Sequence, residues 1–151
     1  MKINIYLATT WNGPKIRPGA GMFLIEYLRG SEPITRQGFI HMREGTEAQG
    51  TIRALINALT ILNRPCEIVI NTQCAHVYNS ITNGRAKEWQ QSGWINAKGK
   101  EVKHKELWQL LQKKLEPHTY IIQTGHTSYT NIMAAAVEKE AERWINKELG
   151  D

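Results

Sequence analysis

Carboxylates are the side chains that hold hard divalent cations and move protons in most hydrolytic sites. This chain distributes them unusually. It has one aspartate, Asp151, at the end of the sequence, and every other acid is a glutamate. A centre built from several aspartates is therefore out of reach. Glu67 opens a short apolar run, which places it at the start of a strand and not at its end. Cys66 and Cys74 have neither metal-type nor redox-type spacing, and Cys74 has no histidine–acid partner nearby in sequence. Both read as free thiols, which fits a reducing, cytoplasmic setting. Gly13, Pro14, Pro18 and Gly19 read as turn chemistry without a phosphate-loop pattern.

The basic residues point elsewhere. Arg85, Lys87, Lys98, Lys100, Lys103 and Lys105 lie in one short segment against only Glu88 and Glu101. Six cations less two anions is +4 of the chain's net +5. Such a segment suits phosphates and would bind them in a salt-sensitive, largely sequence-independent way. The alternative is a solvated face, the usual meaning of a charge run. Trp89 and Trp94 interrupt the same polar stretch, and solvation alone does not call for them. They have two readings: nucleic-acid contacts, or side chains that pack the segment onto its own helix.

The elements that must position these residues follow from periodicity. Hydrophobic residues are 41% and charged residues 22% of the 151, which is the balance of an ordinary globular domain. No apolar run is long enough to span a membrane. The opening MKINIYLATTW reads as a strand and not a signal peptide. Lys2–Thr10, Met22–Leu28 and Ile34–Arg43 read as three strands of a meander, with Trp11–Gly21 as loop. Thr46 is a helix cap with Gln49 three residues on, and Ile52, Leu55, Ile56, Leu59 and Leu62 follow at helical spacing. Phosphate contact at that helix start is a second reading of Thr46. Glu67–Asn71 is a short strand and Ala75–Ile81 a short helix. Glu106–Leu115 is a helix, Thr119–Gln123 a fifth strand, and Tyr129–Leu149 a long amphipathic helix. The order β-β-β-α-β-α-α-β-α, without repeat or linker, predicts one α/β domain over 1–151.

In this order, two stretches carry a family resemblance. TIRALINALTIL (Thr51–Leu62) leads into RPCEIVINT (Arg64–Thr72), a helix feeding a central strand. WQQSGWINAKGKEVKHKELWQLL (Trp89–Leu111) combines three tryptophans with interleaved lysines. The chain resembles ribonuclease H over nearly its whole length, and the second stretch resembles the basic handle of bacterial type 1 members. The resemblance implies a five-stranded mixed sheet flanked by helices, with a handle at about 85–105. It implies a partner that is an RNA–DNA hybrid or a double-stranded nucleic acid. It also implies hydrolysis by two cations, Mg or Mn, held by four carboxylates.

Position by position, the acids are missing. Ala8 stands where the family's first aspartate ends the first strand. Thr51 matches the glutamate of the first helix, with Glu47 as a substitute if the match slips. Gln73 stands where the third acid ends the central strand, and Ala135 where the fourth begins the last helix. His126 matches the histidine of the loop before that helix. Engineered alanines at positions 8 and 135 would not account for Gln73 or for the scarcity of aspartate. The expectation is a nucleic-acid-binding protein with hydrolysis lost or impaired, no metal and no cofactor. Its candidate contacts are Thr46, Arg85, Lys87, Trp89, Trp94, Lys98, Lys100, Lys103 and Lys105. Two alternatives stay open: an active nuclease rebuilt around Glu47, and a protein-interaction module on a nuclease scaffold.

Overall fold

The computed structural model describes residues 1–150; Asp151 lies outside them. Five strands form one sheet: β1 (Lys2–Thr9), β2 (Arg17–Arg29), β3 (Glu32–Gly45), β4 (Glu67–Asn71) and β5 (Thr119–Gln123). The spatial order is β3-β2-β1-β4-β5. β1 pairs antiparallel with β2 and β2 with β3, whereas β1, β4 and β5 run parallel. Five helices accompany them: α1 (Glu47–Ile61), α2 (Ala75–Thr82), α3 (Arg85–Gln91), α4 (Lys105–Leu115) and α5 (Thr130–Glu148). The mixed α/β sheet is the expected one. No helix among the described residues is long and apolar enough to cross a membrane.

Strand alternation divides the core in two. Ile3, Ile5 and Leu7 of β1, with Phe23, Ile25, Ile68 and Ile70, pack against the α1 and α4 face. Ala20, Met22 and Leu24 turn the other way, onto Met133, Val137 and Ala141 of α5. Burial on both faces explains why β2 reads as a continuous apolar run. α1 starts at the expected capping box. The Thr46 hydroxyl accepts from Gln49 N at 3.4 Å, and Thr46 N donates to Gln49 Oε1 at 3.2 Å.

Two expectations need correction. The loop assigned to Trp11–Gly21 ends early, because β2 begins at Arg17. Pro18 and Gly19 there suggest a turn, but tertiary contact overrides them. A side chain at Gly19 would run into Thr10 and the Trp11 ring. Trp11 itself is a core residue, 1% exposed, with its Nε1 donating to the Arg17 carbonyl at 2.7 Å. The order of elements also has one more helix than expected. Gly84, at φ +78°, ends the link from α2 and starts α3 inside the segment read as irregular. Only Ala86 and Trp89 of α3 are buried, so its apolar period is too short to register.

Candidate functional site

A cleft of about 170 Å³ opens where β1 and β4 end side by side. Ligands of open α/β sheets bind at such carboxyl ends. Ala8 and Thr9 close β1 at its floor, and Asn12 follows in the loop. Glu47 and Thr51 come from the first two turns of α1, and Gln73 and Cys74 follow β4. Thr127, Thr130, Met133 and Ala134 form the opposite wall. The fold thus gathers Ala8, Thr51, Gln73 and Glu47 in one cleft.

The cleft's chemistry is almost neutral. Glu47 is its only carboxylate, and Glu47 Oε1 accepts from the Gly13 N–H at 2.9 Å. Gln73 donates its Nε2 to the Gly125 carbonyl at 2.5 Å, which ties the end of β4 to the loop before α5. Thr51 is buried at 2% exposure. Burial pushes the Cys74 thiol up, so it stays protonated and is a poor nucleophile. These donors do not fit a pair of divalent cations. Hard cations need several anionic oxygens, and here one carboxylate stands among amides and hydroxyls. Among the described residues no three of His, Cys, Asp and Glu come together.

The other candidate positions fall inside and outside the cleft. On α5 the residue that borders the cleft is Ala134, one before Ala135. His126 is exposed and outside the cleft, and its neighbour Thr127 lines the wall instead. Thr46 is buried with its hydroxyl committed to the α1 cap, so it has no free group for a phosphate. Trp89 and Trp94 are buried at 9% and 7%, and neither ring is open for base stacking. Trp89 meets Trp108 edge-on with centroids 5.4 Å apart. The handle folds around them: Trp94 N donates to Trp89 O at 2.7 Å, and Val102 N donates to Trp94 O at 2.9 Å. Trp94 adopts φ +69°, an uncommon conformation for a bulky residue, held by these bonds and by burial of its ring.

The basic residues remain outside this packing. Arg85, Lys87, Lys98, Lys100 and Lys103 are exposed. Lys105 is half-buried and sits 3.8 Å from Glu101, so its charge is partly answered within the chain. Sequence reasoning missed Asn12 and Thr127 in loops and Thr130 at the start of α5, neutral residues with no pattern that singles them out. It also missed the groups that anchor the α5 wall. Tyr129 Oη donates to Glu26 Oε2 at 2.6 Å, and that bond, with burial, holds the phenol up to about 12. Farther along, Glu140 accepts from Arg143 Nη2 at 2.7 Å and lies 2.7 Å from His41 Nε2. The Arg143 bond, reinforced by His41, holds the Glu140 carboxyl down to about 2 despite burial.

Comparison with known proteins agrees with this architecture. A family model, RNase H, matches residues 8–142. Ribonuclease H of Thermus thermophilus is 32% identical over 94 residues, covering 61% of this chain and 55% of the relative. The match thus spans about half the length of that relative. Among solved structures, LC9-RNase H1, described as a type 1 RNase H with the type 2 active-site motif, superposes with a TM-score of 0.75. It is 17% identical and covers 97% of this chain and 73% of the other. LC11-RNase H1 in complex with an RNA/DNA hybrid gives 0.62 at 13% identity, covering 95% and 99%.

Proposed function

The chain belongs to the RNase H family, and on that premise we propose that it binds nucleic acid, an RNA–DNA hybrid or a duplex, without hydrolysing it. The observation that carries the reading is the cleft itself. Where the resemblance places four carboxylates, the cleft offers Glu47 alone. Two-metal hydrolysis requires cations on both the attacking and the leaving oxygen. A single carboxylate, already accepting a backbone N–H, does not supply two sites. Binding draws on a different part of the molecule. The exposed cations Arg85, Lys87, Lys98, Lys100 and Lys103 can neutralise phosphates without any metal.

The same charge count supports metal-independent binding. Four carboxylates without their cations would repel a phosphodiester. A cleft of hydroxyls and amides repels it much less. Association should therefore persist in EDTA. The test is a fluorescence-anisotropy titration with a labelled hybrid, run in EDTA and in Mg or Mn, beside a gel assay for cleavage. Tight, salt-sensitive binding with an intact RNA strand is expected. Absence of binding at low salt would remove the reading.

Glu47 favours a second reading, because it does enter the cleft. A hydrolase rebuilt around it would cleave the hybrid in Mg or Mn and lose that activity in Glu47→Gln.

A further inference from the structure

The two edges of the sheet are built differently. β3 is guarded against further pairing, with Glu32, Pro33, Arg36, Arg43 and Glu44 exposed along it. β5, at the opposite edge, reads Thr-Tyr-Ile-Ile-Gln, without charge, proline or bulge. It is mostly exposed, Ile121 to 61% and Tyr120 to 36%.

The outer side of β5 has its backbone free. Thr119 N donates to the Cys66 carbonyl at 3.1 Å, and the Gln123 carbonyl accepts from Thr72 N at 3.1 Å. Residues 119, 121 and 123 therefore turn their backbone groups to β4, and Tyr120 and Ile122 turn theirs outward. Among the described residues nothing bonds to those outward groups. Alternation also leaves Ile121 on an open face. Ile68, Ile70 and Ile122 pack toward α1. Val69 and Ile121 face the other way, where α5 covers β1, β2 and β3 and these two side chains line an open groove. Parallel strands are ordinarily covered on both faces.

These features match their own copies across a twofold axis. In an antiparallel pair of β5 strands centred on Ile121, Tyr120 of one copy and Ile122 of the other exchange both backbone bonds, and the reverse pair does the same. Every outward N–H and C=O of both strands is then satisfied. Ile121 meets its counterpart in the close, non-hydrogen-bonded position, apolar against apolar. No charge on β5 opposes the approach. We propose that two copies of this chain join through β5 into one continuous sheet of twice five strands. A twofold contact requires a surface that answers itself, and β5 does so in donors, acceptors and apolar side chains. The guarded β3 edges stop assembly at two. The proposal stands apart from the nucleic-acid reading.

Sedimentation equilibrium over about 1 μM to 1 mM suits the small contact that so short a strand makes. Salt at about 0.15 M screens the net charge of each copy. A monomer–dimer equilibrium is expected. Ile121→Lys sets like charges directly opposite each other and should weaken it about tenfold. Gln37→Lys, on the exposed edge of β3, should leave it unchanged. Ile121→Cys under oxidised glutathione should give a disulfide-linked dimer, because the paired Cα atoms would lie about 4.5 Å apart. Thr119→Cys should not, since its counterpart would be about 14 Å away along the strand. The native Cys66 and Cys74 are buried and do not compete. A chain that stays monomeric to about 1 mM, with no Ile121→Cys link, would overturn the proposal and leave β5 to a different strand. So would a dimer indifferent to Ile121→Lys, or Thr119→Cys linking as readily as Ile121→Cys.

Discussion

Gln73 donates its side-chain amide to the Gly125 carbonyl at 2.5 Å, across a separation of 52 residues. The resemblance places an acid at this position. A carboxylate there would face a carbonyl oxygen, acceptor against acceptor. The bond is thus one that the family's residue could not make. In this chain the position ties the end of β4 to the loop that leads into α5.

Removal of that tie should loosen the loop. Gln73→Ala is expected to speed amide hydrogen exchange over residues 124–128 while leaving β1 and β2 protected. The stability loss should be about 0.5–1.5 kcal/mol, the range for one hydrogen bond. Unchanged exchange in the loop would mean that the bond does not hold it.

Restoring the acids tests the reading of the cleft. Ala8→Asp, Thr51→Glu and Gln73→Asp, combined with an aspartate at position 135 or 134, should yield Mg-dependent cleavage of a hybrid. Each single change should yield none, since one added carboxylate does not complete a two-cation site. Comparison of positions 135 and 134 would show which one faces the metals. Cleavage by the unmodified chain would contradict the proposed loss.

The handle tryptophans should behave as core residues. Trp89→Ala is expected to cost about 3–5 kcal/mol in urea unfolding, as for buried aromatic truncations, given its burial and its edge contact with Trp108. A base-stacking residue would instead lose affinity with its stability intact.

Phosphate contacts should appear in the salt dependence. Lys98→Ala, Lys100→Ala and Lys103→Ala should each lower the slope of log K against log salt by about 0.9 where the lysine meets a duplex phosphate. Lys105→Ala should change it less, because Glu101 already offsets that charge.

Glu140 predicts an acid-sensitive contribution to stability. Its folded carboxyl is held down to about 2, below the ordinary 4.5. A lowered pKa stabilises the fold above the unfolded value, and that stabilisation is lost as pH falls through the folded value. Glu140→Gln should therefore lower Tm by a few degrees at neutral pH. The gap should narrow below about pH 4.5 and close near pH 2. An equal penalty at pH 7 and pH 2 would show that the carboxylate's charge is not what matters.

Much of the fold is written in short-range pattern. The α1 spacing of Ile52, Leu55, Ile56 and Leu59, the Thr46 and Gln49 capping box, and the five strand segments all appear in the structure. They are legible because each depends on residues within a turn or two. Pattern misleads where distant contact overrides it. Gly19 looks like turn chemistry, yet it lies within β2 because Trp11 fills the space its side chain would need. α3 escapes notice because one turn of apolar spacing is too little to read. Thr46 and the two handle tryptophans each have two readings until burial is known.

By itself, the sequence determined which charged groups the fold has to work with. It has no aspartate at the ends of β1 and β4, and it concentrates its lysines in one segment. Residue identity settles both facts before any folding. The tertiary structure decided which side chains share a space. It brought Glu47 into one cleft with Ala8 and Gln73, and joined Gln73 to Gly125. Periodicity reports only on neighbours along the chain, whereas these groups meet because parallel strands and crossing helices close distances that sequence spacing does not encode.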